Sequence, residues 1–217
     1  RRRTRRRKPL GRDPVGNAAL SRWMVIFQRD NLGKTYMDNP AHLVAYIAAS
    51  LDGYIAPANG SVDWLEPFAA VDYGFDAFFA DIETLVMGRS TYDQCRGFDV
   101  WPYPGRRTTV LTHRDADPDA PDGVSFHACE PAALMDALGS VISGKSWIVG
   151  GGSVLGQFLA ANLVSRLDLF VVPVLLGGGI PLFPEGTVSG APQLLTSKTF
   201  ENGVVWLAYA LDGAEAR

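Results

Sequence analysis

The sequence predicts an α/β fold, with a mainly parallel central sheet flanked by helices and a C-terminal antiparallel hairpin. Three observations predict it. Short apolar runs of strand length alternate with helical patterns over most of the chain. Two of those runs end in glycine turns that open helices, Gly88-Arg89-Ser90-Thr91 and Gly150-Gly151-Gly152-Ser153. The last two runs flank Glu201-Asn202-Gly203, a hairpin turn containing Asn-Gly.

Taken in order, residues 42–50 form an apolar first strand closed by Leu51-Asp52-Gly53. Residues 56–67, rich in Pro, Gly, Asn and Asp, read as a loop. The spacing of Val71, Phe75, Phe78, Phe79 and Ile82 predicts a helix over 71–82. Residues 84–87 are a short buried strand that turns into a helix near Tyr92, and 108–112 and 124–128 are the next strands. Glu130-Pro131 opens a helix towards Ile142, with proline in its first turn. Residues 146–149 make a strand whose following helix reaches about Leu163, and 167–172 make another. The hairpin strands lie near 194–200 and 204–211, and neither a repeat nor a second domain is visible.

Composition narrows the class. The chain has 217 residues, of which 47% are apolar and 20% charged, so a full core is available and wholesale disorder is excluded. No run of 18 apolar residues occurs, so no membrane partner is expected. Two cysteines are too few for a disulfide framework, and Cys95 and Cys129 read as free thiols in a reducing cytoplasm. The net charge of −3 hides an asymmetry: residues 1–34 carry eleven basic against two acidic side chains, and the other 183 carry nine against twenty-one. The acidic body argues against nucleic acid as the partner of the folded domain. The basic head reads as a nucleic-acid or membrane-surface arm, a transit peptide, or an upstream extension without a fold. Met37 would make a natural start under the last reading, so residues 1–38 are expected to be disordered and 39–213 to form the single domain.

Chemistry concentrates at the two glycine turns. At Gly88 the backbone can approach a ligand closely, and the helix behind it offers free N–H groups to an anion. Ser90 and Thr91 add hydroxyls, and Arg89 adds a permanently charged fork suited to phosphate. The turn at 150–153 repeats this logic without a charge. Two such turns on one sheet suit a dinucleotide with its phosphates spread along the strand ends. Neither turn is the Gly-x-Gly-x-x-Gly fingerprint, and no Gly-Lys-Ser/Thr occurs. Trp64, Phe68, Phe79, Trp101 and Tyr103 are candidates for a flat aromatic slot. No metal site is expected.

These motifs resemble a family. Met87-Gly88-Arg89-Ser90-Thr91-Tyr92, Pro104-Gly105-Arg106-Arg107 with Val110-Leu111-Thr112, and Ile148-Val149-Gly150-Gly151-Gly152-Ser153 with Gln157-Phe158-Leu159 look like dihydrofolate reductase. Ser50-Leu51-Asp52-Gly53 and Pro173-Val174-Leu175-Leu176-Gly177-Gly178-Gly179, with Leu182-Phe183, look more like the reductase domain of riboflavin-biosynthesis deaminase-reductases. The resemblance covers about residues 42–211 and points to the small bacterial proteins grouped with that domain. It implies a dihydrofolate reductase-like fold, NADPH as hydride donor, a small-molecule substrate and a possible homodimer.

The resemblance also assigns roles. Gly88, Arg89, Ser90 and Thr91 match the first phosphate turn, and Gly150, Gly151, Gly152 and Ser153 match the pyrophosphate and nicotinamide turn, with a cis Gly150–Gly151 peptide. Thr112, with His113 or Arg114, lies where the adenosine 2′-phosphate is held. Reducing a C=N bond needs hydride on carbon and a proton on nitrogen. Counting back sixteen residues from Gly88 to the family's acid gives Asp72 as proton source. From the other side the spacing departs: Trp64 and Pro67 match, but Pro67 to Asp72 is three residues too long, which keeps Asp63 and Asp52 as substitutes. Asp52, Trp64 and Arg106 are the substrate-binding candidates, Arg106 matching an arginine that clamps a carboxylate. The expected function is NADPH-dependent reduction of a small heteroaromatic ring of the riboflavin-pathway pyrimidine type. The alternatives are a dihydrofolate or pterin reductase, or a non-catalytic nucleotide-binding module on this fold.

Overall fold

The structure is a computed structural model and describes residues 43–138, 144–186 and 190–211. The expectation of disorder through residue 38 lies outside these residues. The strands are β1 (Leu43–Ser50), β2 (Tyr54–Ala56), β3 (Ile82–Gly88), β4 (Arg107–Leu111), β5 (Val124–His127), β6 (Lys145–Gly150), β7 (Arg166–Val172), β8 (Ile180–Pro181), β9 (Gln193–Thr199) and β10 (Val205–Ala210). The α-helices are α1 (Phe75–Ala80), α2 (Arg89–Arg96), α3 (Pro131–Leu138) and α4 (Gly152–Ala160).

Eight strands form one sheet in the order β5-β4-β3-β6-β1-β7-β10-β9. The pairings from β5 through β7 are parallel, and β10 joins antiparallel to both β7 and β9. The mainly parallel sheet with its terminal hairpin is therefore as expected. Parallel strands covered on both faces are apolar on both, which is why their sequences read as continuous runs. On β1 the alternation sends Val44, Tyr46 and Ala48 to one core, and Leu43, Ala45 and Ala49 to the other. The first core is rich in aromatic rings and includes Tyr73, Phe75, Trp147 and Phe170; the second is mostly aliphatic and holds Leu155 and Phe158 of α4.

Three expectations are corrected. The helix expected over 71–82 spans only Phe75–Ala80. Gly74 before it is left-handed at φ 87°, and the Asp72 carboxylate accepts the Gly74 N–H at 2.8 Å, so a side-chain turn replaces the first helical turn. Residues 56–67 are not wholly loop, because Asp63–Phe68 forms a 3-10 helix that buries Leu65. The strands β2 and β8, which pair with each other, were not anticipated. The helix expected towards Ile142 is described through Leu138, and its continuation lies outside the described residues.

Candidate active site

Parallel strands end together, so the turns that follow them crowd one edge of the sheet. Here β3 and β6 are neighbours with Met87 opposite Gly150, which sets the starts of α2 and α4 side by side. Gly88 and Gly151 are the N-caps, and neither helix start has a side-chain cap. The first-turn N–H groups of both helices are thus left without a side-chain acceptor. The Gly150–Gly151 peptide is cis, as the resemblance implies, and Gly150 has φ 139°, a conformation that favours glycine. A side chain begun at Gly151 would lie 3.7 Å from Thr91 Oγ1, so the bare glycine face and the threonine hydroxyl border the same space.

That space opens into a cleft of about 500 Å³ on the aromatic face of the sheet. Its floor comes from Tyr46 on β1, Trp147 on β6 and Phe170 on β7, its flank from Tyr73, Phe75 and Tyr103. The aromatic slot therefore exists with other members: of the five rings expected, only Tyr103 lines it. Trp64 packs against the aromatic core and its buried Nε1 has no partner, while its neighbours Val62 and Leu65 reach the cleft. Gln94, one helical turn beyond Thr91, also lines the cleft and donates to the Gly60 carbonyl at 3.2 Å, tying α2 to the strap at 59–61. The sequence reading missed Tyr46 and Gln94. A signal existed in each: Tyr46 is a polar-tipped ring inside an apolar strand, and Gln94 shares a helix face with Thr91.

Gly152 meets the other side of the site. A Cβ there would lie 2.5 Å from the Pro181 carbonyl oxygen, because β8 runs directly over the start of α4. Gly152→Ala must displace β8 and with it the Ile55 and Ile180 wall of the cleft. Overpacking of this kind costs about 1–3 kcal/mol. The expected result is a lowered melting temperature, measured by thermal unfolding.

The cationic candidates sit to one side. Arg89 Nε meets Asp93 Oδ1 at 2.7 Å and its Nη1 donates to the Asp115 carbonyl at 2.7 Å. Its guanidinium also lies 5.7 Å from the Tyr92 ring centre and 5.8 Å from that of Phe126. Arg114, which is exposed, reaches the other oxygen of Asp93 at 2.9 Å, so one carboxylate holds two guanidinium groups. Thr112 follows β4, its Oγ1 accepting the Arg114 N–H at 3.0 Å, and His113 between them is exposed. Ser90 lines the cleft; Ser153 is exposed and its Oγ accepts from Gln157 at 3.2 Å. Arg89, Thr112, His113 and Arg114 thus gather beyond β3 on the β4 side, away from the β6 turn.

Three further candidates lie off the cleft wall. Asp72 is half-buried and engaged with the Gly74 N–H. Arg106 stands before β4, at the opposite end of the strands, where its guanidinium stacks 4.9 Å from the Phe79 ring and donates to the Phe79 carbonyl at 3.3 Å. Asp52 accepts Ser50 Oγ–H at 2.6 Å and the N–H groups of Leu176 and Gly177 at 3.1 and 2.7 Å. These donors, the Ser50 hydroxyl first, hold the Asp52 carboxyl below its ordinary value. A depressed carboxyl adds stability that is present above the unfolded value near about 3.9 and is lost as pH falls through the folded one. Asp52→Asn is accordingly expected to lower stability at neutral pH and to converge with the parent in acid. Denaturant melts across pH 2–7 (approximately the range bracketing that value) check it; a constant offset at every pH would contradict it.

Two close-set helix N-termini, a bare glycine peptide and an aromatic cleft beside them thus meet at one edge of a mainly parallel sheet, on a dihydrofolate reductase-like fold. Residues 97–206 match the family model described as the RibD C-terminal domain. The uncharacterized protein YwjB of Bacillus subtilis is 34% identical over 165 residues, 74% of this chain and 93% of that protein. This chain belongs to the RibD C-terminal domain family. A crystal structure from Shewanella sp. PV-4, of a protein provisionally named for riboflavin biosynthesis, is 31% identical with a TM-score of 0.71, covering 78% of this chain and 98% of that one. Dihydrofolate reductase from Enterococcus faecalis, complexed with NADP(H), shares the fold at 21% identity and a TM-score of 0.52, covering 78% and 95%.

Proposed function

We infer that the protein is an NADPH-dependent reductase of a small heteroaromatic ring. The observation that carries this reading is the junction at Met87–Gly150, where two uncapped helix starts and the Gly150–Gly151 peptide face an aromatic cleft. The residues fit the cofactor: the first-turn N–H groups of α2 and α4, with Ser90 and Thr91, suit a pyrophosphate. The side-chain-free surface at Gly150 and Gly151 suits a flat ring pressed against backbone. Arg89 and Arg114, on the far side of β3, suit the adenosine 2′-phosphate. When bound, NADPH supplies a hydride to the substrate carbon. The chain's part is to stack the ring on Tyr46, Trp147 and Phe170 and to exclude water from that face.

Family membership favours a riboflavin-type pyrimidine as the ring, with a pterin as the alternative. The proton for nitrogen is drawn from solvent in this reading, since no carboxylate lines the cleft among the described residues. Asp72→Asn is therefore expected to change turnover by less than about threefold, whereas loss of a true general acid costs roughly 10²–10⁴. A steady-state assay of that variant at neutral pH distinguishes the two. The reading as a whole is tested by titrating the protein with NADPH and following nicotinamide fluorescence. Saturable binding, weaker for NADH, is expected; absence of binding would overturn it.

A further inference from the structure

One carboxylate beyond β3 joins two arginines that come from different elements. Asp93 stands one helical turn after Arg89 on α2, and its Oδ1 takes Arg89 Nε at 2.7 Å. Its Oδ2 takes Arg114 Nη2 at 2.9 Å from the loop that follows β4. Two guanidinium groups set close together repel each other, and a negative charge between them offsets that repulsion before any ligand arrives. Arg89 is further steadied by the Asp115 carbonyl and by the Tyr92 and Phe126 rings. Arg114 has a side chain 59% exposed, and Asp93 is its one side-chain partner among the described residues.

The loop that carries Arg114 is anchored to α2 by a second carboxylate. Asp117 accepts from the hydroxyl of buried Tyr92 at 2.6 Å and from Arg96 Nε at 3.2 Å. The backbone here is therefore tied down without Asp93, and what Asp93 adds is the direction of two side chains. Among the described residues, Arg89 spends two of its five side-chain N–H groups and Arg114 spends one, so each keeps most of its fork unspent. Arg89 is gripped at Nε, which leaves its Nη2 for an oxyanion. Holding both forks in place beforehand removes the ordering cost that an anion would otherwise meet on binding.

We propose that Asp93 is a positioning residue for the adenosine 2′-phosphate: it holds Arg89 and Arg114 together so that both turn their remaining donors on one anion. The proposal rests on the NADPH reading of the site and adds the residue that assembles the phosphate grip. It is counter to simple charge counting, in which an aspartate beside a phosphate site only repels the ligand.

The test titrates the full-length parent, Asp93→Asn and Asp93→Glu with NADPH and with NADH, following nicotinamide fluorescence at physiological and at raised salt. Asp93→Asn is expected to lower the ratio of NADPH to NADH affinity by about tenfold, through NADPH alone. Asp93→Glu keeps a carboxylate one turn from Arg89 and is expected to keep most of the preference. Removing a negative charge would by itself strengthen phosphate binding, most of all at low salt, so positioning and repulsion have opposite signs. A ratio unchanged or raised in Asp93→Asn would overturn the proposal. Equal weakening of both cofactors would also overturn it, since Asp93 would then serve the shape of α2 as a whole. A thermal melt confirms folding, which an exposed pair of this kind should scarcely alter. If the parent binds both cofactors equally, the phosphate grip and this inference fail while a nicotinamide cofactor stands. If the parent binds neither, the cofactor reading itself fails and takes the inference with it.

Discussion

Replacing Arg89 with alanine is expected to weaken NADPH by roughly 10- to 100-fold, since a hydrogen bond to a charged group contributes about 1.5–3 kcal/mol. The direction of the side chain makes the expectation sharper. Arg89 points from the start of α2 towards Asp115 and the Phe126 ring of β5, so it lies on the β4 side of β3. The Gly150 turn, to which the proposed function assigns the nicotinamide, is on the β6 side. Under the proposed function, a guanidinium placed there, linked to Arg114 through Asp93, would meet the adenosine end of the cofactor. NADH affinity should therefore hardly move. If Arg89 instead held the pyrophosphate, NADPH and NADH would weaken together. Stability should be little affected, because the Arg89–Asp93 pair is partly exposed and such pairs contribute at most about 1 kcal/mol. Parallel titrations of both cofactors against the variant, with a thermal melt as control, decide the matter.

The largest stability loss is expected at Asp168. This carboxylate, with its side chain 6% exposed on β7, takes a two-point ion pair from Arg166 at 2.7 and 2.8 Å and a hydrogen bond from Trp206 Nε1 at 2.9 Å. It therefore ties β7 to β10, joining the parallel part of the sheet to the hairpin. Removing one member of a buried pair costs about 3–5 kcal/mol when the survivor stays buried. Arg166 is about one-third exposed and can turn to water, so Asp168→Ala should lie at the lower end, about 3 kcal/mol. Urea unfolding measures it. A loss below about 1 kcal/mol would show that the pair behaves as a surface contact.

The parallel strands were legible because burial on both faces leaves an unmistakable apolar run, as in Val44 to Ala49 and Leu167 to Val172. The hairpin was legible from Asn202-Gly203. The helix near Val71 was misjudged because Val71 falls in phase with Phe75, while the Asp72 side chain and left-handed Gly74 set a turn between them. Periodicity counts apolar positions and is blind to that competing hydrogen bond. β2 and β8 have three and two residues, too few for an alternation to show. The glycine turns of the site were readable, since glycine at a strand-to-helix junction signals close backbone approach. The cleft wall was not. Tyr46 and Tyr103 are buried rings whose sequence neighbourhoods look like ordinary core, and only the fold shows which rings border open space. Asp52 and Arg106 were read as ligand groups from matching motifs; in the structure each satisfies its own chain.

The central claim is that the cleft carries out reduction at the expense of NADPH, and turnover tests it most directly. The full chain is mixed with NADPH and a panel of pterins and ribosylamino-pyrimidines, and the fall in NADPH absorbance is followed alongside formation of the reduced ring. The account predicts enzyme-dependent oxidation of NADPH with at least one ring, one reduced product appearing for each NADPH consumed. Tight NADPH binding with no oxidation on any member of the panel would contradict it, and would identify a nucleotide-binding module that keeps the fold without the chemistry.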